Sequence, residues 1–171
     1  SNNSSWGTAI RELVPNKKLY DDFERRALDS CSKAAVSGTV MKVSNYRGIG
    51  RAIAHRLAIE GACVVVADID AGNAERVARE IGGPDVARSV HADVTDERHI
   101  AAAIRSVLLA FGGLDIVVNN AGLSISKSLL DTTADDWDLQ HDVMAKGSFL
   151  VSREAARVMI EQGIGGDLVY I

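Results

Sequence analysis

The sequence predicts an α/β fold in which a doubly wound, mostly parallel sheet is covered by helices on both faces. Segments with a strand pattern alternate with segments of helical periodicity from about residue 39 onwards. Residues 64–66 and 116–118 are unbroken apolar runs, which are typical of strands buried on both faces. The last predicted strand starts only at Asp167, so we expect the sheet to be incomplete at the C-terminus of this chain.

The first half of the pattern predicts two helices and two strands. The first helix follows a glycine turn, and its apolar face is expected to consist of Ile49, Ala52, Ile53 and Leu57. Residues 63–67 form the strand that comes next. The second helix carries apolar side chains at Ala74, Val77, Ala78 and Ile81, and two glycines end it. Residues 86–90 predict a weaker strand.

The second half repeats this alternation. Thr95 is expected to cap a third helix, with Asp96 and Glu97 in its first turn, where acidic side chains suit the helix dipole. Its apolar face is Ile100, Ala103, Ile104, Val107, Leu108 and Phe111. A strand at 114–119 follows, and residues 133–136 resemble a capping box before a helix near Trp137. A long helix is marked by Val143, Gly147, Leu150, Val151, Ala155, Val158 and Met159, and residues 167–171 begin a last strand.

We divide the chain into residues 1–36, a linker or the remnant of a preceding domain, and residues 37–171, a partial dinucleotide-binding domain. The first part is more polar and contains a charged run at 17–26. Tyr20, Phe23 and Ala27 recur at helical spacing there, which predicts a short helix. The chain starts at Ser1 without an initiator methionine, so we expect a trimmed or internal fragment.

Composition and charge argue against several functions. The net charge is −4 and no basic cluster occurs, so nucleic acid is not an expected partner. The sequence has no run of about 18 apolar residues and no signal-peptide core, so we expect no membrane partner and a cytoplasmic location. The two cysteines and four histidines show no metal-ligand spacing, and no metal site is expected.

A glycine turn followed by an acid is the strongest local signal. Arg47, Gly48, Ile49 and Gly50 open the first helix, and Asp68 lies 20 residues after Gly48, at the end of the next strand. A dinucleotide-binding fingerprint has its ribose-binding acid at about this distance. Glycine lets the backbone approach a pyrophosphate, whose charge favours the positive end of a helix. Because the Asp68 carboxylate would repel a 2′-phosphate, the pattern favours NAD over NADP on a Rossmann-like sheet.

The polar candidates all follow predicted strands. Ligands of parallel α/β sheets bind outside the carboxyl ends of the strands. The glycine turn, Asp68, Asp93 and Asn119 each lie at such an end. We therefore expect them to converge on one crevice.

A run of motifs resembles the short-chain dehydrogenase/reductase family. Asn119, Asn120, Ala121 and Gly122 follow an apolar strand, as the family's Asn-Asn-Ala-Gly motif does. The glycine turn, Asp93-Val94 and Trp137-Asp138 match other family positions in the right order, over residues 39–171. Within the family, residues 141–154 resemble the dehydrogenase half of bifunctional rhamnulose-1-phosphate aldolase/alcohol dehydrogenases, which implies lactaldehyde as the substrate.

The resemblance implies a set of NAD-binding positions. Gly48, Ile49 and Gly50 would lie beside the pyrophosphate. Asp68 would hold the adenine ribose with the Ile69 backbone nearby, and Asp93 would reach the adenine amino group beside the Val94 backbone. Asn119, Ala121 and Gly122 would line the wall near the nicotinamide ribose. An alternative to NAD binding is that these residues have structural roles. It assigns Gly48 and Gly50 to close packing, Asp68 and Asp93 to turns, and Asn119 to bracing neighbouring strands.

The chain departs from the family at the start of the glycine turn. One alignment places Val43-Ser44 where the family has Thr-Gly, which puts Lys42 in a central strand, where a lone charge is costly. A second alignment uses Ser37-Gly38 as that pair, after a strand at 33–36, but it inserts extra residues before Gly48. We favour the first, and we keep Ser44 and Arg47 among the cofactor-binding positions.

Two further departures concern catalysis. Met144 stands where the family often has an asparagine that carries a water of the proton relay, and a thioether cannot supply that group. No Tyr-x-x-x-Lys occurs in the chain, and Tyr170 is not the family's tyrosine. The resemblance implies that the catalytic Ser, Tyr and Lys lie beyond residue 171, so we expect no catalytic residue in this chain and an inactive fragment.

Three functions stay open. The first is the NAD-binding part of an oxidoreductase that acts on a small alcohol or carbonyl substrate. The second is a non-catalytic nucleotide-sensing or subunit-interaction module on the same fold. The third is a flavin or sugar-phosphate binder, since fold does not fix function. Family members commonly form dimers or tetramers, which implies homo-oligomers, and uncovered apolar faces on the long helix predict self-association of the isolated chain.

Overall fold

The structure is a computed structural model that describes the backbone of residues 37–42 and the whole of residues 48–171. The predicted linker at 1–36 and the candidate site residues Ser44 and Arg47 lie outside the described residues.

Strands and helices alternate through the described part of the chain. In order they are β1 Ser37–Lys42, α1 Ile49–Ile59, β2 Cys63–Asp68, α2 Ala71–Ile81, β3 Ala87–His91, α3 Glu97–Phe111, β4 Ile116–Asn119, α4 Ala134–His141, α5 Gly147–Gln162 and β5 Asp167–Tyr170. A π-helical turn, Asp142–Lys146, joins α4 to α5.

The strands form one parallel sheet in the order β3-β2-β1-β4-β5. The register pairs Lys42 of β1 with Asp68 of β2, and Met41 of β1 with Asn119 of β4. From β1 the chain adds β2 and β3 on one side and then returns to add β4 and β5 on the other. The crevice between the ends of β1 and β4 is therefore the switch point at which such sheets bind ligands. The predicted fold class, a doubly wound parallel α/β sheet, is confirmed.

Both faces of the sheet are buried, which explains the unbroken apolar runs. Val64 and Val66 pack with α1 and α2 on one face, whereas Val65 and Ala67 pack with α3 and α5 on the other. Successive strand side chains point to opposite faces, so a strand covered on both sides needs apolar residues at every position.

The bounds of β1 decide between the two alignments of the glycine turn. Ser37 and Gly38 lie inside β1, where they pair with Cys63 and Val64, so they do not form the turn after the strand. The second alignment, which requires a strand ending at residue 36, is wrong on this point. The first alignment agrees with a strand that ends at Lys42.

Two local predictions need correction. Ile49 and Ala52 were expected on the buried face of α1, but Ile49 is 53% exposed, and the buried residues are Gly50, Ile53, Ala54 and Leu57. The cap of α3 is Asp96, whose side chain accepts a hydrogen bond from the Arg98 backbone N–H, and not Thr95. The capping box of α4, between Thr133 and Asp136, is confirmed.

Candidate functional site

The candidate site lies along the carboxyl ends of four neighbouring strands. Asp68 ends β2, Asn119 ends β4, and Asp93 follows β3 by two residues. In the sheet register Asp68 pairs with Lys42 on one side and with His91 on the other, and Asn119 pairs with Met41. The structure therefore brings these three side chains to one edge of the sheet, where α1 also begins.

Helix α1 begins at that edge, and no side chain among the described residues caps it. Gly48 is its N-cap residue, with φ −118° and ψ −56°, and no acidic residue lies in the first turn. A Cβ placed on Gly48 would meet no described heavy atom within 4 Å, and this φ is open to any residue. Neither backbone strain nor packing among the described residues requires a glycine here. The space that the described residues leave there suits the close approach of an anion to the first N–H groups of the helix.

Asp68 lies at the end of β2, sheltered from bulk solvent. It is 2% exposed, and its Oδ1 accepts a hydrogen bond of 3.0 Å from the backbone N–H of Asp70. The exposed Ile69, at 41%, follows it at the rim. Asp68 therefore has the structural role in a turn that is the alternative to ribose binding. This turn fixes one carboxylate oxygen at the end of β2, between the ends of β1 and β3.

Asp93 builds the loop that follows β3. Its Oδ1 accepts hydrogen bonds from the Thr95 backbone N–H at 2.9 Å and from the Thr95 hydroxyl at 2.8 Å. Its own backbone N–H donates to His99 Nδ1 at 3.4 Å. The next residue, Val94, is 1% exposed and packs against the start of α5. Asp93 therefore holds the loop beside the end of β2 through hydrogen bonds, in addition to any role toward a ligand.

A chain of polar side chains joins β4, α5 and β5. Asn119, which is 4% exposed, donates from Nδ2 to Ser152 Oγ at 3.2 Å. Ser152 Oγ lies 2.7 Å from the Tyr170 hydroxyl, and either oxygen can be the donor. Asn119 therefore braces neighbouring elements, which is the structural alternative to ligand binding. Ser152 and Tyr170, the other members of this chain, were not predicted from the sequence. The available signal was the spacing of Ser148 and Ser152, one helical turn apart on α5 and both facing the same groove.

That groove has a volume of about 680 Å³ and is bounded by Asn119 and Ala121 on the sheet side. Phe149, Ser152 and Tyr170 line it from α5 and β5. Met144 also borders it, from the π-helical turn, and a Cβ on Gly122 would lie 3.8 Å from Met144 Cγ. Met144, which departs from the family pattern, therefore lies next to Ala121 and Gly122, the residues predicted to form the wall near the nicotinamide ribose. An apolar thioether stands beside this wall, so the groove is less polar than the family pattern would make it.

Comparison with known proteins identifies the family to which the chain belongs. The family model described as Enoyl-(Acyl carrier protein) reductase matches residues 43–171. The chain belongs to the short-chain dehydrogenase/reductase family.

Relatives in this family each match about seven tenths of the chain. The uncharacterized oxidoreductase YuxG of Bacillus subtilis (strain 168) is 42% identical over 127 residues, which are 72% of this chain and 18% of that protein. A short-chain dehydrogenase/reductase of Armillaria gallica is 40% identical over 126 residues, 72% of this chain and 48% of its own length. The NADP-dependent (R)-specific alcohol dehydrogenase of Lentilactobacillus kefiri is 38% identical over 122 residues, 71% of this chain and 48% of its own length.

The match therefore spans about half the length of the latter two relatives and less of the first. Family members use nicotinamide cofactors, and the name of the Lentilactobacillus kefiri relative states NADP. Among the described residues, no helix is long and apolar enough to cross a membrane.

Proposed function

We propose that residues 37–171 are the NAD-binding part of an oxidoreductase that moves hydride between a nicotinamide cofactor and an alcohol or carbonyl substrate. The observation that carries the proposal is the meeting of Asp68, Asp93 and Asn119 at one sheet edge with the start of α1, which no described side chain caps. An anionic pyrophosphate fits an uncapped helix start, and a ribose fits a buried carboxylate. Nucleotide binding accounts for both features at once.

Each residue has a stated task in this proposal. Gly48, Ile49 and Gly50 hold the pyrophosphate, together with Ser44 and Arg47. Asp68 and Ile69 hold the adenine ribose, and Asp93 and Val94 hold the adenine. Asn119, Ala121 and Gly122 line the nicotinamide side. The bound cofactor supplies the hydride chemistry, and this chain binds and orients it.

The catalytic Ser, Tyr and Lys of the complete oxidoreductase lie outside these 171 residues in our proposal, because no Tyr-x-x-x-Lys occurs in them. Small alcohols or their carbonyl products are the substrates, and a second copy of the complete protein is the expected partner, in the cytoplasm. The likeness to YuxG, of which the match forms only 18%, favours a longer protein such as the bifunctional aldolase/alcohol dehydrogenases, with lactaldehyde as the substrate.

A nucleotide titration tests the proposal directly. We expect the 171-residue chain to bind NAD, measured by calorimetry, more tightly than NADP or a flavin nucleotide. Asp68→Ala should weaken NAD binding by at least about tenfold, the effect of losing one or two hydrogen bonds to a charged group. Asp85→Ala is the matched control, since Asp85 is an exposed acid in the turn before β3, at the opposite end of the sheet. Equal NAD affinity in both variants would remove the ribose role of Asp68.

Met144 favours a second candidate, a nucleotide-sensing or subunit-interaction module without catalysis. A thioether beside Gly122 cannot take part in a proton relay. Turnover of small alcohols separates the two functions when the chain is expressed together with the sequence that follows Ile171 in its gene. NAD binding with turnover supports the oxidoreductase, and NAD binding without turnover supports the module. Robust turnover by the 171-residue chain alone would contradict our placement of the catalytic groups.

A further inference from the structure

Three elements meet through side-chain hydrogen bonds beside the candidate nicotinamide wall. Asn119 at the end of β4 and Tyr170 at the end of β5 are direct neighbours in the sheet register. Ser152 of α5 contacts both, since its Oγ accepts a hydrogen bond of 3.2 Å from Asn119 Nδ2 and lies 2.7 Å from the Tyr170 hydroxyl. All three residues line the groove of about 680 Å³. The ends of two strands and one helix are therefore tied together at this groove.

Burial makes the contact with Ser152 important for Asn119. Asn119 is 4% exposed, and a buried amide N–H that has no acceptor is costly. Within the described part of the chain, the Asn119 side chain makes one hydrogen bond, from Nδ2 to Ser152 Oγ. Ser152 therefore fixes which end of the amide is engaged, and it leaves Oδ1 available as an acceptor.

Tyr170 supports this contact from the rim of the groove. Its side chain is 58% exposed, but its hydroxyl lies within hydrogen-bond distance of Ser152 Oγ. A serine hydroxyl that is hydrogen-bonded on a second side is less free to rotate away from its first partner. Ser152 thus acts on Asn119 directly, and Tyr170 acts through Ser152.

Asn119 lies directly before the segment predicted to form the nicotinamide wall. Ala121 and Gly122 follow it by two and three residues, and Ala121 packs against the buried cluster that includes Leu150 and Val151 of α5. A binding surface that is held before its ligand arrives needs no ordering when the ligand binds, and this raises affinity. Holding Asn119 therefore prepares this wall for a ligand.

We propose that Ser152 and Tyr170 are positioning residues that hold Asn119, and with it the wall at Ala121 and Gly122, in place for the nicotinamide half of the cofactor. This inference rests on the proposed nucleotide-binding function and deepens it. Neither hydroxyl has to touch the cofactor, since both act through the Asn119 amide. Loss of the Ser152 hydroxyl should therefore weaken binding more than loss of the Tyr170 hydroxyl.

The test compares NAD with ADP, which carries the adenine, its ribose and the pyrophosphate but no nicotinamide half. Calorimetric titration of the 171-residue chain should show NAD affinity lowered about tenfold in Ser152→Ala and about threefold in Tyr170→Phe. ADP affinity should change by less than about twofold in both variants, because Asp68 and Asp93 belong to other strand ends. A general loosening of the fold would weaken both ligands alike, so the ratio of the two affinities reports the positioning role.

A conservative variant and a matched control complete the test. Ser152→Thr keeps a hydroxyl at this position, and its NAD affinity should stay within about twofold of the wild type. Ser106→Ala removes a serine hydroxyl from α3, where it donates to the Ala102 carbonyl oxygen at 2.9 Å. This control should leave the ratio of NAD to ADP affinity unchanged.

An unchanged ratio in both Ser152→Ala and Tyr170→Phe would overturn the positioning role. So would an equal loss of NAD and ADP affinity, or a Ser152→Thr variant that behaves like Ser152→Ala. In each of these cases NAD binding by the wild type still supports the proposed function. If the wild-type chain binds neither nucleotide, the proposed function itself fails, and this inference fails with it.

Discussion

At Gly147 the backbone of α5 meets the loop that follows β3 at a distance that admits no side chain. A Cβ on this residue would lie 2.6 Å from Val94 Cγ2 and 3.1 Å from Val94 Cβ. Gly147 follows the π-helical turn directly, so the turn and the glycine together set how closely α5 approaches the candidate adenine loop. The sequence places Gly147 on the packed face of a long helix, but the contact with Val94 depends on a residue 53 positions earlier in the chain.

Gly147→Ala should therefore destabilise the fold. The methyl group must displace a buried valine, and overpacking of this kind costs about 1–3 kcal/mol. Denaturant unfolding measures the loss. Gly83→Ala is the control, because a Cβ there meets no described heavy atom within 4 Å, and it should change stability by less than about 0.5 kcal/mol. Adding Val94→Ala to Gly147→Ala should restore part of the loss, and a double variant less stable than the sum of the single changes would contradict this explanation.

Among the helices, α1 and α2 are joined at their outer surface by one carboxylate. Glu80 of α2 accepts a hydrogen bond of 2.6 Å from Arg51 Nε of α1 and another of 2.9 Å from Arg76 of its own helix. His55 of α1 also lies 3.4 Å from it. The Arg51 hydrogen bond is the main cause that lowers the pKa of Glu80 from 4.5 to about 2.

This depressed pKa predicts a pH-dependent link between the two helices. Its contribution to stability is fully present above pH 4.5, the ordinary value, and is lost as the pH falls towards about 2. The free energy of unfolding should therefore fall less steeply over this window in Glu80→Gln than in the wild type. Arg51→Gln removes the main cause and should flatten the profile in the same direction. Because the site is exposed, the difference should be small and should shrink in high salt. Identical pH profiles for all three proteins would refute the link.

Elements differ in how far the sequence alone predicts them. The strands β2 and β4 follow from unbroken apolar runs, and α4 follows from its capping box, because these signals are local. The cap of α3 is Asp96 and not the predicted Thr95, because either of two adjacent polar residues can cap a helix. The Thr95 hydroxyl donates a hydrogen bond to Asp93 instead. In the candidate site, the position of Asp68 and Asp93 at or just after the strand ends was predicted from sequence. The Asn119–Ser152–Tyr170 chain was missed because it joins three elements distant in sequence.

At the scale of the whole molecule, several large apolar side chains are exposed along α4, α5 and the segment before α4. The outer side of α4 and α5 carries Trp137, Phe149 and Ile160, which are 59%, 58% and 78% exposed. In the segment before α4, Leu129 and Leu130 are 89% and 95% exposed. Large exposed apolar side chains on neighbouring elements mark surfaces that associate with other protein. The groove lined by Phe149, Ser152 and Tyr170 lies on this same side.

We therefore expect the isolated chain to self-associate through the α4–α5 side. Sedimentation velocity at micromolar concentrations should show dimers or larger species, and Phe149→Ser combined with Ile160→Ser should weaken the association by at least about tenfold, because each change leaves less apolar area to bury. Leu109→Ser is the control, since Leu109 is 78% exposed but lies on α3. A chain that stays monomeric at every concentration would contradict the prediction. A chain whose association is weakened equally by Leu109→Ser would place the contact elsewhere, since the driving force would then be spread over the surface and not concentrated along α4 and α5.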